Sequence, residues 1–345
     1  MGSTTNQNNK RIVWDWWQAL EGSADANLDA TASSAMSDKV AFFGPDPINT
    51  LHGPSEFLND FWRPLLHSFP DLKRQTHIFF GGHSNGRRDG DLSVDGGMWV
   101  TGTGYLTGTF KEDYLGIPAT GAEVNIRWGD FYRMENGKIL EVYCLLDFID
   151  LMQQANIHVL PPSLGIDGDY PGPKSTDGIM LDAQNDLVSA YSLEHIRQFI
   201  YEGLNGFDES NLKSMGMADY FHPDLKWYGP GGIGACYSFR EFEKFHQIQW
   251  LQAFPDRQVQ DLTALLAEGH YSGGPGWAGV TATHSGEYKG ASATGNALEI
   301  NGLDWWKRDG EEYIENWVFV DMVHLFRQFG VDLFARMRDQ IGKSA

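Results

Sequence analysis

Two short motifs, Phe43-Gly44-Pro45 and Phe69-Pro70-Asp71, return 185 positions later as Tyr228-Gly229-Pro230 and Phe254-Pro255-Asp256. Further matches follow in the same order at a separation of 174 positions, so the second copy is shorter in between. A Gly- and Asp-rich stretch around Gly81–Gly97 accounts for most of that difference, because loops tolerate insertions at little cost. The ordered matches indicate an internal duplication, and the 345-residue chain is predicted to contain two related domains.

A stretch rich in Pro, Gly and Asp separates the two copies. It begins at Pro161-Pro162 and continues through Pro171-Gly172-Pro173, which is typical of a linker or an extended arm. We therefore predict a first domain over residues 1–160, a linker over 161–181 and a second domain over 182–345.

Each copy has helices first and strands afterwards, which favours an α+β domain with a curved antiparallel sheet around one apolar cavity. In the second copy, Ser238 and Glu241 have the spacing of a capping box, and Pro255 marks the helix end. An Asp309-Gly310 pair predicts a hairpin turn. The predicted helices are His195–Leu204 and Ser238–Ala253, and the predicted strands are Arg257–Ala267, Ala278–Tyr288, Ala297–Arg308 and Tyr313–Val323.

Three polar residues of the second copy fall on strand faces that are otherwise apolar. Residues two apart in a strand share a face, so His284, Asp304 and Asp321 are predicted to point inward. A buried polar group is costly unless it is paired, and a carboxylate beside an imidazole suits proton transfer. Their apolar neighbours on the same faces are Val280, Ala282, Leu298, Ile300, Gly302, Trp306, Trp317 and Phe319.

Each of these three residues also has a structural interpretation. His284 could be a hydrogen-bonded core histidine, and Asp304 could cap a turn. Asp321 recurs as Asp147 in the copy that lacks the histidine, which favours a structural role. Aligning the copies pairs His284 with Leu106, so proton chemistry is expected in the second copy and not in the first.

Aromatic residues make up 13% of the chain, which is consistent either with bulky cores or with pockets for flat apolar ligands. In the first copy, the pocket candidates are Trp62, Trp99, Tyr105 and Trp128. In the second copy, the ligand-binding candidates are Tyr228, His246, Trp250, Trp277, Trp306 and Trp317. Core packing is the alternative for His246.

The net charge of −20 disfavours nucleic acids and anionic membrane surfaces as partners. Two cysteines cannot form a disulfide framework, and with no apolar leader or membrane-length run in the sequence we expect a cytoplasmic protein. Phosphate-loop, dinucleotide and zinc-protease motifs are absent from the sequence. A metal site at His77 and His83 has no third ligand nearby in sequence. We therefore expect no cofactor and no metal.

Two stretches of the sequence resemble the SnoaL-like polyketide cyclases of the NTF2-like superfamily. These are His284-Ser285-Gly286-Glu287-Tyr288 followed by Ala293-Thr294-Gly295, and Gly116–Gly121 in the first copy. The resemblance implies two tandem cone-shaped domains, each with a deep apolar pocket, and acid/base chemistry that uses neither metal nor cofactor.

Our hypothesis is a cofactor-independent cyclase, isomerase or lyase acting on a small apolar carbonyl compound. In it, Asp304 removes a proton next to the carbonyl and His284 donates to the enolate oxygen, with Asp321 as the alternative base. The rival hypothesis is a non-enzymatic protein that binds a hydrophobic small molecule. With either function, the two copies could form an intramolecular pseudo-dimer, or the chain could form a homodimer.

Overall fold

The computed structural model describes residues 2–22, 25–91, 93, 96–211 and 213–344. Its contacts divide the chain into two compact units. The first unit contains residues 1–84, 97–157 and 171–183; the second contains residues 85–96, 158–170 and 184–345. The stretch that we predicted as a linker is thus shared between the two units, and part of it packs closely. In the second unit, for example, Tyr170 is fully buried and its ring lies 5.4 Å from that of Phe319.

The first unit is built on a six-stranded sheet with the order β2-β1-β6-β5-β4-β3. Strand β1 runs parallel to β6, and the other neighbours are antiparallel. The strands are β1 (Met36–Phe43), β2 (Thr50–His52), β3 (Lys73–His83), β4 (Met98–Thr109), β5 (Glu123–Glu135) and β6 (Lys138–Leu146). The helices are α1 (Gly2–Gly22), α2 (Leu28–Ala35), α3 (Gly53–Glu56), α4 (Arg63–Ser68) and α5 (Phe148–Gln154), with a π-helical turn at Phe57–Trp62 between α3 and α4.

The second unit repeats this topology with the order β8-β7-β13-β12-β11-β10, while β9 pairs with the far end of β11. Here β7 runs parallel to β13, as β1 does to β6. This shared strand order confirms the predicted tandem α+β architecture. The strands are β7 (Phe221–Tyr228), β8 (Ala235–Cys236), β9 (Gln258–Val259), β10 (Leu266–Glu268), β11 (Tyr271–Thr283), β12 (Ala297–Asp309) and β13 (Glu312–Val320).

The amphipathic helix of the second unit begins and ends where the sequence predicts. Ser238 is its N-cap and accepts from the Glu241 N–H at 3.2 Å, while Phe254 before Pro255 is the C-cap. A π-helical turn, Glu243–Gln247, divides it into α8 (Phe239–Phe242) and α9 (Ile248–Ala253). The other helices are α6 (Asp186–Gln198), which a π-helical turn at Phe199–Gly203 follows, α7 (Met217–Tyr220), α10 (Met322–Gln328) and α11 (Leu333–Ser344).

Strand β11 lies about five residues earlier than the predicted strand Ala278–Tyr288. The Ser272–Gly276 stretch is rich in Gly and Pro, which indicates a turn in the sequence but is strand in the structure. Glycine is needed there: a Cβ on Gly274 would lie 2.5 Å from the Ala264 carbonyl oxygen. The corrected bounds leave His284 just beyond the end of the strand.

The hydrogen bonds that tie each sheet to the Phe-Pro-Asp motif establish which residues of the two copies correspond. The Asp71 carboxylate accepts from the N–H and the hydroxyl of Thr109, and Asp256 accepts in the same way from Thr283. The residue after each threonine is Phe110 in the first copy and His284 in the second. The predicted pairing of His284 with Leu106 is therefore wrong, because that alignment placed the chain-length difference partly in the wrong loops.

Among the described residues, no helix is long and apolar enough to cross a membrane. Both cysteines, Cys144 and Cys236, are buried and unbridged.

Candidate functional site

The second unit contains a cavity of about 190 Å³ between the inner face of its sheet and the helices that cover it. Aromatic and aliphatic side chains from the π-helical turn that follows α6 and from α7, α8 and α9 form one wall, and β7, β11, β12 and β13 form the other. Its aromatic lining comprises Phe199, Phe221, Trp227, Phe242, His246, Trp250, Trp306 and Phe319, and its other polar residues are Gln247, Arg257, Asp304 and Asn316.

Asp304 is the carboxylate that lines this cavity. It lies on β12, where the alternation of inward residues also brings Ile300, Gly302 and Trp306 to the cavity, as the sequence predicted. Asn316, opposite Trp306 on β13, donates weakly to Asp304 Oδ1 at 3.5 Å and more closely to the Trp305 carbonyl at 2.9 Å. Burial raises the pKa of Asp304 to about 7, and the Asn316 contact opposes that shift. Near neutral pH this carboxyl can therefore both give up and accept a proton.

His246 is the histidine that lines the cavity with Asp304. It sits in the π-helical turn of the amphipathic helix, and its ring stacks on Trp227 at a centroid distance of 4.4 Å. Burial, reinforced by the positive charges of Lys289 and Arg257, lowers the pKa of His246 to about 3. The imidazole is therefore neutral at pH 7. Neither ring nitrogen has a hydrogen-bonding partner among the described residues, so one N–H and one lone pair remain available to a ligand.

Two further polar side chains line the cavity. Arg257, which directly follows the Phe-Pro-Asp motif, is 5% exposed. Gln247, beside His246, is 6% exposed, and its Oε1 is buried without a hydrogen-bonding partner among the described residues. The sequence analysis identified neither residue. For Arg257 a signal was present, because the residue after the Phe-Pro-Asp motif is apolar in the first copy, Leu72, and charged in the second.

Of the six ligand-binding candidates in the second copy, the structure brings His246, Trp250 and Trp306 to the cavity. Trp317 and Tyr228 lie on the opposite face of the sheet, where their rings are 5.5 Å apart. Trp277, half-buried on β11, is not among the lining residues.

The prediction for Trp317 and Tyr228 failed because the sheet face opposite the cavity is also buried at these two residues, so apolarity does not mark the inner face. The residues next to these two in sequence line the cavity instead: Trp227 on β7, and Asn316 and Val318 on β13.

Asp321 is not among the cavity-lining residues either. It is the N-cap of α10, where its Oδ1 accepts from the His324 N–H at 3.0 Å. Asp147 makes the same bond to the Asp150 N–H at the start of α5. The recurrence of this residue thus reflects a helix cap that both copies need, in agreement with the structural alternative.

His284 occupies the core and is fully buried. Its ring stacks on Phe329 at 3.8 Å, and Nδ1 lies 3.1 Å from the Thr294 hydroxyl. Burial lowers its pKa, against the opposing effect of Glu287. The cavity lining does not include it, so the structure does not bring together the predicted pair of His284 and Asp304.

The corresponding space in the first unit is almost filled, with about 10 Å³ remaining. That is close to the least volume that one water molecule needs. Trp62 and Trp128 occupy it, whereas Gln247 and Gly302 stand at the corresponding places in the second copy. The predicted first-copy pocket residues Trp99 and Tyr105 are not part of this lining.

Asp130, the counterpart of Asp304, is enclosed by donors. It accepts from the Trp128 indole at 2.5 Å and from the Tyr132 hydroxyl, and the Arg74 guanidinium lies 3.8 Å away. Burial raises the pKa of Asp130, while Arg74 and the donors oppose that shift. The Asp130 carboxylate is therefore hydrogen-bonded and ion-paired within the protein.

No cluster of three or more His, Cys, Asp or Glu side chains with metal-binding geometry occurs within the described ranges. The predicted absence of a metal and of a cofactor remains an expectation.

Residues 15–155, in the first copy, match the model of the SnoaL-like polyketide cyclase family. A search of curated proteins finds no match.

Three solved structures of low identity are similar. A SnoaL-like protein from Jannaschia sp. CCS1 is 18% identical, covering 46% of this chain and 95% of that one, with a TM-score of 0.34. AclR from Streptomyces galilaeus is 22% identical, covering 41% and 86%, with a TM-score of 0.35. IdmH from Streptomyces antibioticus is 22% identical, covering 41% and 99%, with a TM-score of 0.32.

Proposed function

We propose that the second unit is an acid/base catalyst of the cyclase, isomerase or lyase type that acts on a small apolar carbonyl compound. The observation that carries this proposal is the position of Asp304, a carboxyl with a pKa of about 7 facing an apolar cavity of about 190 Å³. General bases work best when their pKa lies near the working pH.

The proposed step begins with the ionised form of Asp304. Its carboxylate takes a proton from the carbon next to the carbonyl, and the electron pair of that C–H bond moves to form an enolate. In a substrate with a C=C bond next to that carbon, the enolate is conjugated, and the protonated Asp304 returns the proton to the far carbon of that bond, so that the C=C bond moves into conjugation with the carbonyl. In a cyclisation, the enolate carbon attacks a second carbonyl, and Asp304 protonates the resulting alkoxide.

The enolate oxygen needs a hydrogen-bond donor, and His246 replaces His284 in that proposed role. A neutral imidazole is a suitable hydrogen-bond donor to an enolate. The pKa of its N–H is closer to the pKa of an enol than the pKa of an imidazolium is. The stack on Trp227 holds the ring in place, and neither nitrogen is occupied by a described residue.

The test is solvent deuterium exchange next to the carbonyl of phenylacetone and 1-indanone, followed by NMR in buffered D₂O. We expect the wild-type protein to accelerate exchange of at least one ketone and Asp304→Asn to lose that acceleration. Equal exchange by wild type and variant would contradict the assignment of the base.

The rival function is binding without chemistry. The largely apolar cavity lining favours it, since such surface alone retains a hydrophobic ligand. Saturable quenching of tryptophan fluorescence by both ketones, with no exchange in either, would support binding and contradict catalysis.

A further inference from the structure

Arg257 is a buried cation that has no carboxylate partner among the described residues. Its two side-chain hydrogen bonds both leave from Nη2, to the Leu204 carbonyl at 3.0 Å and to the Met215 sulfur at 2.6 Å. Its guanidinium also lies 5.8 Å from the Phe207 ring. Nη1 and Nε have no hydrogen-bonding partner among the described residues.

The charge of Arg257 is not neutralised by the other charged group of the cavity. The ion pairs formed by the described residues include none between Arg257 and Asp304. Burial lowers the pKa of Arg257 to about 10, so the guanidinium stays charged at neutral pH. A buried charge without a counter-ion is unfavourable, and pairing with an anion from outside would offset much of that penalty.

The first unit contains a buried arginine that is paired within the protein. There Arg74 lies 3.0 Å from Glu21 and 3.8 Å from Asp130, and its charge is satisfied within the protein. In the second unit, Val259 stands at the position that corresponds to Arg74. The buried arginine of that unit is instead Arg257, which lines the cavity.

We infer that the ligand of this cavity is a single-ring carbonyl compound that carries a carboxylate, and that Arg257 pairs with that carboxylate. A guanidinium forms strong charge-assisted hydrogen bonds to a carboxylate, and the N–H groups of Nη1 and of Nε remain as donors for one. The size limit follows from the volume, since an apolar cavity of about 150 Å³ holds benzene. The carbonyl part rests on the proposed function, whereas the carboxylate part stands on Arg257 alone.

The test compares phenylacetate with phenylacetamide, which has nearly the same shape but no charge. Affinities are measured by tryptophan fluorescence and calorimetry at about 150 mM salt, where the long-range repulsion from the net charge of −20 is screened. We expect wild type to bind phenylacetate at least ~10-fold more tightly than the amide. Equal affinities, or a preference for the amide, would overturn the inference.

Variants assign the preference to Arg257. Arg257→Gln keeps a donor for the Leu204 carbonyl but removes the charge, and should bring the two affinities within about threefold of each other. Arg240→Gln removes an exposed charge on α8 of the same unit and should leave the preference intact. A preference that survives in folded Arg257→Gln would contradict our assignment.

If Arg257→Gln does not fold, Arg257→Lys retains the charge and should retain part of the preference for phenylacetate. A lysine variant that folds but shows no preference would count against a simple ion pair. The two proposals fail separately: an anion preference without deuterium exchange refutes only the catalytic function, and exchange without an anion preference refutes only the role of Arg257.

Discussion

Each copy has an aspartate at the corresponding position of its own sheet, but the surroundings of the two aspartates differ. In the first copy, Asp130 is surrounded by Arg74, Trp128 and Tyr132, and almost no space remains beside it. In the second copy, Asp304 has one weak protein donor and faces a cavity. The same position is therefore enclosed by protein donors in the first copy and faces a cavity in the second.

The residues that make this difference are few. Trp62 and Trp128 of the first copy are replaced by Gln247 and Gly302 in the second, and Arg74 is replaced by Val259. These exchanges remove two indoles and a guanidinium from the space beside the aspartate. The cavity is open because the two indoles are missing. Because no arginine stands at the position of Arg74, burial raises the pKa of Asp304 without an opposing positive charge there.

The largest effect that would sharpen this comparison is on catalysis. Asp304→Asn should lower the rate of deuterium exchange by roughly 10²–10⁴-fold, the usual contribution of general acid–base catalysis. Asp130→Asn, the matched change in the first copy, should leave the exchange rate of folded protein within about threefold. Comparable losses in both variants would show that the copies do not differ as we describe.

The next effect is on binding. Gln247→Trp places the indole of Trp62 at the corresponding position and should weaken ligand binding at least ~10-fold by filling the cavity. Gln252→Trp, on the exposed side of α9, is the matched control and should leave affinity unchanged. Calorimetry with phenylacetone and phenylacetate measures both, and unimpaired binding by Gln247→Trp would place the ligand elsewhere.

A third effect is on stability, and its sign follows from the raised pKa of Asp304. Between the unfolded pKa near 4 and the folded pKa of about 7, only the folded state holds this proton, so stability falls as the pH rises. Asp304→Asn removes that dependence and should unfold at a higher temperature than wild type at pH 8, with a smaller difference at pH 4. A difference that does not change with pH would indicate an ordinary pKa for Asp304.

The smallest expected effect tests the corrected alignment. His284→Phe copies Phe110 of the first copy and should leave exchange and stability nearly unchanged, because the position is an aromatic core site in both units. His246→Phe keeps the stack on Trp227 but removes the donor, and should slow exchange more than tenfold. A larger loss in His284→Phe than in His246→Phe would restore the original assignment.

The sequence predicted the duplication from motifs that recur in order, the α+β class from the order of helices and strands, and the inward position of Asp304 from the alternation within one strand. It placed His284 wrongly, because a glycine-rich strand resembled a turn and shifted the alignment of the copies. It selected Trp317 and Tyr228 instead of Asn316 and Trp227, because a strand buried on both faces has no alternation to mark the cavity side. Arg257 was missed because only the folded chain shows that it has no counter-ion.

The most direct test of the account is the titration of the Asp304 carboxyl itself, followed by carbon NMR in protein with labelled aspartate. The signal is assigned by its loss in Asp304→Asn. We predict a titration midpoint near pH 7, together with an exchange rate that rises through the same pH range as the base ionises. A midpoint near 4 would contradict the central claim, since Asp304 would then be an ordinary carboxylate in a cavity that only binds.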